Sequence, residues 1–398
     1  MHILTINSGS SSLKVGLYEM GEAEKLVLFG NLERIGQRSG TICIQDGQGK
    51  PFVDEQANLP NHQAALARLF DWLKEHEPDR SLDAAGHRIV HGGPKYNQPH
   101  RITPALVAGL RELIPLAPDH LPQEIQAIQA TSYAYPDLPQ VACFDTAFHR
   151  RMPALAQIYA LPRHYQHEGL IRYGFHGLSY EYILQELRKE AGEVVAGGRI
   201  IIAHLGNGAS MAAIRQGQSM DTTMGFTPAG GLVMSTRSGD LDPGVPVYLL
   251  EEKGLRPAGF NDLVNQHSGL LGVSGISSDM RDLLEKEDSE PHARQAVDLF
   301  CYQASKFLGA LAVVLGGLDT LIFTAGIGEN APVVRQRICQ NLSFLGVRLD
   351  EDHNAANAAM ISPEGEPVTV RVMHTDEDLM IARHTGALLR DEGKLSQK

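Results

Sequence analysis

The sequence predicts an α/β fold duplicated about a central cleft, and three observations carry that prediction. Apolar, β-branched runs of strand length alternate with helical patterns along the chain. A unit of strand, Gly-polar turn and strand occurs at the start of the chain and again about two hundred residues later, as an internal repeat would. A third Gly-rich turn follows another apolar run and precedes a helical stripe.

The first hairpin comprises the apolar run 2–6, the turn-forming stretch Asn7-Ser8-Gly9-Ser10-Ser11-Ser12, and the alternating run 14–18. Its repeat comprises the run 199–203, the turn His204-Leu205-Gly206-Asn207-Gly208-Ala209-Ser210, and the run 211–215; superposing Gly9 on Gly208 aligns the two. The third turn, Ala325-Gly326-Ile327-Gly328-Glu329-Asn330, follows the apolar run 320–324 and reads as a loop. Pro332 then suits the first turn of a helix whose stripe is Val333, Val334, Ile338, Leu342 and Leu345. Further helical patterns fall near 63–74, 122–134, 178–190 and 293–315, and strand-like runs precede His87-Arg88 and Asp145. The Pro-containing segment 152–163 reads as a linker.

At 398 residues the chain exceeds the size at which a single core stops growing, so two domains are expected. Asp and Glu number 47 against 35 Lys and Arg, and the net charge of -12 opposes the phosphate neutralisation that nucleic-acid binding needs. Cys43, Cys143, Cys301 and Cys339 lie far apart, with no CxxC pattern or Cys/His cluster to suggest zinc or a disulfide framework. The N-terminus lacks a basic region followed by an apolar one, and no uninterrupted apolar run approaches a membrane span. A cytoplasmic protein without nucleic-acid or membrane partners is expected.

Glycine lets backbone N–H groups approach an anion closely, and Ser10, Ser11, Ser12 and Asn207 add side-chain donors beside two of the turns, with Lys14 as a nearby cation. None of the turns fits the Walker A or dinucleotide-binding patterns. A second group is cationic, with glycine close by: His87-Arg88-Ile89-Val90-His91-Gly92-Gly93, Gly174-Phe175-His176-Gly177 and Ser235-Thr236-Arg237-Ser238-Gly239-Asp240. A guanidinium fork matches carboxylate or phosphate oxygens, and cations aimed at a transferring phosphoryl group are what that chemistry requires. Asp145, at a strand end beside Phe144 and Phe148, and Glu377, in His374-Thr375-Asp376-Glu377-Asp378, are candidates for holding Mg2+.

Taken in order, these motifs resemble those of the acetate kinase family, within the superfamily of acetate and sugar kinases, heat-shock chaperones and actin. The resemblance runs almost end to end through 7–14, 86–93, 144–149, 173–177, 204–208, 236–243 and 325–330. It implies duplicated actin-like (RNase H-like) domains flanking a nucleotide cleft. Residues 1–149 would form the first domain, joined by a C-terminal helix over 379–398, and residues 150–378 the second, with the nucleotide site and a homodimer interface. It further implies reversible transfer of a phosphoryl group from ATP to a short-chain carboxylate, acetate first, giving an acyl phosphate and ADP.

Carried over residue by residue, the resemblance makes Asn7 and Glu377 positions for Mg2+, with Mn2+ as an alternative, and Lys14 an ATP contact. Arg88 would hold the acceptor carboxylate, with Val90, Phe175 and Pro228 around the acyl group. Asp145, His176 and Arg237 would be catalytic. His204, Leu205, Gly206, Asn207 and Gly208, then Asp279, Met280 and Arg281, then Gly326, Ile327, Gly328, Glu329 and Asn330 would hold the nucleotide. A carboxylate acceptor has a pKa of roughly 4 to 5, so it is already ionised at neutral pH and needs no general base. Asp145 is therefore expected to orient metal or substrate.

The chain departs from the family at Asp119, where a Leu is usual beside the acyl group, in Gly177-Leu178-Ser179-Tyr180, which lacks a usual Thr and His, and at Ser235, which replaces a common Gly. A displaced loop, an Asp119 pointing away and an altered acyl preference are the alternatives. Propionate or butyrate kinase activity, a kinase of hydroxyl acceptors and a nucleotide-gated sensor on the same fold are the competing readings.

Overall fold

Thirteen strands form two separate sheets in the computed structural model, which describes residues 1–9, 11–77 and 81–395. The first sheet contains β1 (His2–Ser8), β2 (Ser12–Met20), β3 (Glu24–Glu33), β4 (Gly40–Asp46), β5 (Pro51–Ala57), β6 (Ala84–Ile89), β7 (His100–Arg101) and β8 (Gln140–Phe144), in the order β5-β4-β3-β2-β1-β6-β8-β7. The second contains β9 (Arg199–Leu205), β10 (Ala209–Arg215), β11 (Gln218–Thr222), β12 (Thr320–Thr324) and β13 (Thr369–Val372), in the order β11-β10-β9-β12-β13.

The five strands β3-β2-β1-β6-β8 repeat the order and directions of β11-β10-β9-β12-β13. In each set the first chain segment pairs antiparallel with the second and parallel with the fourth, and the fifth runs parallel to the fourth. The repeat read from the hairpins is therefore a repeat of five strands, to which the first sheet adds β4, β5 and β7. Its register differs from the one that superposes Gly9 on Gly208. Gly9 directly follows β1 and donates to Ser12 O, while Gly206 directly follows β9 and donates to Gly208 O, so Gly206 is its counterpart.

The chain divides into two units, Met1–Ala147 with Asp376–Lys398, and Phe148–Thr375. The segment 152–163, expected as a linker, belongs to the second unit: Arg172 N donates to Gln157 O and Phe226 N to the Tyr159 hydroxyl. Turn-forming prolines there shape a loop tied down by its own polar groups.

In the first unit the helix His62–His76, capped by Asn61 Oδ1 accepting from Ala64 N, buries Ala65, Leu66, Leu69, Phe70 and Leu73. That spacing forms one face, and it packs against Leu4, Ile6, Leu13 and Val15 of the sheet. On the opposite side the C-terminal helix Glu377–Leu395 places Ala382 against Ile3, Tyr18, Met20 and Ala84. Gly86 permits this approach, because a Cβ there would overlap Thr385 Oγ1 and lie 2.5 Å from Ile381 Cγ2. Covering both faces explains why all five residues of β8 are buried.

In the second unit the helix Pro291–Leu315 is long and apolar enough to cross a membrane by length and composition. It buries Ala293, Ala296, Val297, Phe300, Cys301, Ala304, Leu308, Leu311, Ala312 and Leu315, a stripe at helical spacing, so its role in this unit is that of a core helix. The stretch Ala325–Asn330, expected as a loop, is itself a short helix, followed after Ala331 by the helix Pro332–Cys339. Ala325 makes the sharp change of direction out of β12 with φ +65°. Of the expected stripe Val334, Ile338 and Leu342 are buried, whereas Val333 is exposed and the helix stops before Leu342.

Candidate active site

The first unit gathers its polar groups at the carboxyl ends of β1, β6 and β8, the edge at which ligands bind open α/β sheets. Asn7 lies at the end of β1 with Lys14 opposite it on β2. Arg88 lies one strand over on β6, and Asp145 follows β8, its N–H held by Ile89 O at 3.0 Å. Glu377 opens the C-terminal helix.

Arg88 joins these residues. Its Nε donates to Asp145 Oδ1 at 3.0 Å and its Nη2 to Asp145 Oδ2 at 2.6 Å. Its Nη1 donates to Asn7 Oδ1 at 3.1 Å and stands 3.7 Å from Glu377 Oε2. Burial alone would lower the guanidinium's pKa, but Asp145 and Glu377 outweigh it and raise the pKa, so the group is a permanent cation. Asp145 takes the Nε/Nη2 edge of the fork, and of the Nη1/Nη2 edge Nη1 already donates to Asn7, so an incoming carboxylate would take the second N–H of Nη2 and share or displace the Asn7 contact.

Two acids that sequence reasoning passed over stand in this group. Burial, then the like charges of Asp376 and Glu377, push Asp378 up to about 7, and its Oδ1 is buried with no partner. Glu124 is buried in the first turn of the helix Leu121–Ala134, and its Oε1 accepts from Val90 N at 3.1 Å. A Glu on the apolar face formed with Leu121, Ile125 and Ile128 was the available sequence signal.

Asn7 and Glu377 offer an amide oxygen and a carboxylate oxygen that converge on one cationic nitrogen. Such a hard-oxygen pair, with an orphaned acid oxygen one residue further on, fits a hydrated Mg2+ that keeps most of its ligands as water and phosphate. Among the described residues no group of three or more His, Cys, Asp or Glu forms a protein-only metal cage.

The second unit has its own cluster at the carboxyl ends of β9 and β12. His176 caps the helix Gly177–Ala196 in the left-handed conformation, φ +57°, which a non-Gly residue adopts only when its surroundings hold it there. Its Nδ1 is 2.8 Å from Ser210 Oγ, and its ring stacks on His204 with centroids 4.2 Å apart. His204 Nδ1 is 2.8 Å from Ser179 Oγ, which also meets Thr375 Oγ1 at 2.8 Å, while the Tyr180 hydroxyl bonds Ser210. The departures at Ser179 and Tyr180 thus form the shell that orients the two histidines.

A Cβ on Gly208 would sit 3.1 Å from His176 Nε2 and 3.5 Å from Arg237 Nη1, so this glycine lets both approach the turn. Arg237 Nη1 donates to Pro228 O at 3.3 Å, and Ser235 N donates to Asn207 O at 3.2 Å. Gly206 faces Ala325 and Gly326 in the same way, its would-be Cβ 3.4 Å from Ala325 Cβ. His176, the turn 204–208, Arg237 and the start of the helix Ala325–Asn330 are therefore one constellation.

Glu329 and Asp279 do local work. Glu329 Oε1 accepts from Ala325 N at 2.8 Å and its Oε2 lies 2.9 Å from His374 Nδ1; burial opposes ionisation, yet these partners hold the acid below its usual pKa. Fully buried Arg335 donates to the carbonyls of Gly328 and Glu329 at 2.8 and 3.0 Å, fixing the end of that short helix. Asp279 caps the helix Met280–Lys286 by accepting from Arg281 N, Met280 is buried, and Arg281 is exposed.

Val90 lies in the first unit, and Phe175 and Pro228 in the second. Phe175 O is 3.0 Å from Nε2 of His149, a buried histidine lowered to about 4 by desolvation and hence neutral. His87 and His91, read in the cationic group, are likewise interior: burial lowers His87 to about 4 beside Gln140, and His91 Nδ1 accepts from Gly93 N. Asp119 is half-buried in the turn before the helix Leu121–Ala134. Ser11 is exposed at the first turn; Ser10 lies outside the described residues.

The sequence model of the acetokinase family matches residues 2–383. An acetate kinase of Rhodopseudomonas palustris (strain ATCC BAA-98 / CGA009) is 47% identical over 391 residues, covering 97% of this chain and 98% of its own. The crystal structure of Porphyromonas gingivalis acetate kinase superposes with a TM-score of 0.87 at 38% identity, covering 98% of this chain and 99% of that one. That of a propionate kinase from Francisella tularensis subsp. tularensis SCHU S4 gives 0.91 at 33% identity, covering 97% and 99%.

Proposed function

The chain belongs to the acetokinase family, with its duplicated actin-like fold, and from that premise we propose how its residues divide the work of phosphoryl transfer between ATP and a short carboxylate. The activity is that of an acetate kinase, a phosphotransferase with a carboxyl acceptor, in which ATP and acetate give ADP and acetyl phosphate reversibly. The observation that carries the assignment of roles is the state of Arg88, whose guanidinium is anchored by Asp145 along one edge, while Nη1, held by Asn7, and the second N–H of Nη2 are the donors an acceptor carboxylate would take.

An ionised carboxylate is already the nucleophile, so the chemistry reduces to bringing two anions into line and neutralising their repulsion. Arg88 binds the acceptor, Asp145 orients Arg88, and Val90 with Phe175 and Pro228 provides the apolar surroundings of a short acyl group. His176 donates from Nε2 to an equatorial phosphoryl oxygen, and Arg237 supplies the second positive charge. The turn 204–208, the stretch 326–330, Asp279 to Arg281 and Lys14 hold the nucleotide, the glycines by admitting its phosphates close to the backbone. Asn7 and Glu377 would hold Mg2+, whose chemistry is to offset the charge of the β- and γ-phosphates.

The family relationship supports a cytoplasmic enzyme. A homodimer is supported by the helix Gly244–Glu251, which buries none of its residues although Val245, Val247 and Tyr248 are apolar and exposed, with Leu241 beside them. Propionate is the second acceptor to consider, because a propionate kinase superposes as well as an acetate kinase does.

The test is formation of acyl phosphate from Mg-ATP with acetate, propionate, butyrate and glycerol in turn, trapping the product with hydroxylamine while following ADP. Hydroxamate from acetate at the highest kcat/KM is expected. ADP release without hydroxamate from any acid would reject the assignment of roles, and preference for propionate would reassign the acyl pocket.

A further inference from the structure

The helix Leu121–Ala134 buries Glu124 to 1% exposure on the same face as Leu121, Ile125 and Ile128. A carboxyl in such a place is costly unless its oxygens are hydrogen-bonded or its charge is paired. Only one oxygen is satisfied: Oε1 accepts from Val90 N at 3.1 Å, and Oε2 is buried with no partner. The nearby cation is committed elsewhere, since the Arg88 fork is occupied by Asp145 and Asn7 with Glu377 beside it.

We propose that Glu124 is a positioning residue for the acceptor site, which as a neutral acid holds the Val90 amide two residues from Arg88 and which weakens acceptor binding when it ionises. This deepens the reading of Arg88 as the acceptor clamp and rests on it. Two observations in the geometry support it. Val90 N is the first backbone donor past the end of β6, so the bond to Glu124 sets the direction in which the chain leaves Arg88. The lone Oε2, shielded from water, has no hydrogen-bond donor to stabilise a negative charge upon it.

The charged groups acting on Glu124 are Arg88 from β6 and Asp145 from the end of β8. From β1, the helix His62–His76 and the helix Pro104–Glu112, which also pack against its helix, no charged group acts on it among the described residues. Burial pushes the carboxyl up to about 8, the Val90 N–H and Arg88 draw it part of the way back, and Asp145 raises it. Below that pH Arg88 faces Asp145, Glu377 and the acceptor, with Glu124 uncharged. Above it a further fixed anion competes for the same guanidinium.

The experiment measures KM for acetate and KM for Mg-ATP separately from pH 6.5 to 9.5 in the wild type, Glu124→Gln, Glu124→Ala and Arg88→Lys. The Gln carbonyl still accepts from Val90 N and carries no titratable proton. In the wild type, acetate KM should rise about three- to tenfold between pH 7 and 9, following ionisation of one group, while ATP KM follows no such curve. Glu124→Gln should abolish that rise, and Glu124→Ala, which strands the Val90 N–H, should raise acetate KM at every pH. A flat wild-type profile, or a Glu124→Gln profile that still rises, overturns the proposal even if Glu124→Ala fails to fold. Arg88→Lys separates the two readings. If it leaves acetate KM unchanged, the clamp reading fails; if it raises acetate KM while Glu124→Gln still shows the wild-type rise, only the proposal for Glu124 fails.

Discussion

Changing Asp145 to Asn keeps the shape of the side chain and removes the charge opposite Arg88. Asp145 is 1% exposed and accepts from Nε at 3.0 Å and Nη2 at 2.6 Å. An Asn offers one oxygen to this edge and turns an NH2 toward the other donor, so one bond is replaced by a donor facing a donor. Breaking a buried pair by removing one partner costs about 3–5 kcal/mol. Here Glu377 remains 3.7 Å from Nη1 and the Arg88 side chain keeps 19% of its exposure, so a loss of about 2–3 kcal/mol is expected. In a unit of this size that lowers the unfolding midpoint by about 5–10 °C, read by calorimetry.

If the same coupling orients Arg88 in the transition state, turnover falls about 30- to 150-fold, at 1.36 kcal/mol per tenfold. The residual activity should follow the wild-type pH profile between pH 6 and 8, because the acceptor is ionised throughout and Asp145 removes no proton. A wild-type acid limb that disappears in the variant would show Asp145 to be a base and refute the reasoning. Unchanged stability and turnover would refute it equally, by showing the pair to be idle.

Three further outcomes follow from the same structure. The fold holds Glu124 in its acid form up to about 8 against 4.5 for the free side chain, so between those values its site binds more protons folded than unfolded and its own contribution to stability falls as pH rises; the wild type should therefore lose midpoint relative to Glu124→Gln as pH rises, and a difference constant from pH 5 to 8 would contradict it. Gly86→Ala drives a methyl into Thr385 and Ile381 of the C-terminal helix, and should cost about 1–3 kcal/mol in thermal unfolding, whereas an unchanged midpoint would mean that the helix shifts freely. Tyr248→Glu on the exposed helix Gly244–Glu251 should convert a dimer to monomers in sedimentation, and a dimer that persists would place the interface elsewhere.

The long helices and the strands that flank the glycine turns were legible in the sequence because their signals are local, whereas β3, β4, β5, β7, β11 and β13 were not read from it. The period of 3.6 in Ala293, Ala296, Val297, Phe300 and Ala304 and the continuous apolar runs at 200–203 and 320–323 depend only on which face is buried. Most of the polar groups were legible as well, since glycine beside His, Arg or Asn at a strand end is a backbone requirement written in the composition of the turn. Where the reading went astray, hydrogen bonds to backbone groups decided, and these leave no trace in periodicity or turn composition. The stretch Ala325–Asn330 is a helix because Glu329 and Arg335 tie its backbone at both ends, and the segment 152–163 is no linker because Arg172 and Phe226 hold it.

By itself, then, the sequence determined the α/β class, the repeated strand-turn-strand unit and the motifs that align it with the acetokinase family. The tertiary structure decided which of those residues act on one another. It gave Arg88 a carboxylate partner 57 positions away, placed Glu124 behind Val90, stacked His176 on His204, and set Glu329 beside His374. The physical reason is that backbone propensity and hydrophobic periodicity act over a few residues. The charge state and direction of a buried polar group are set instead by whatever the fold brings within about 4 Å of it.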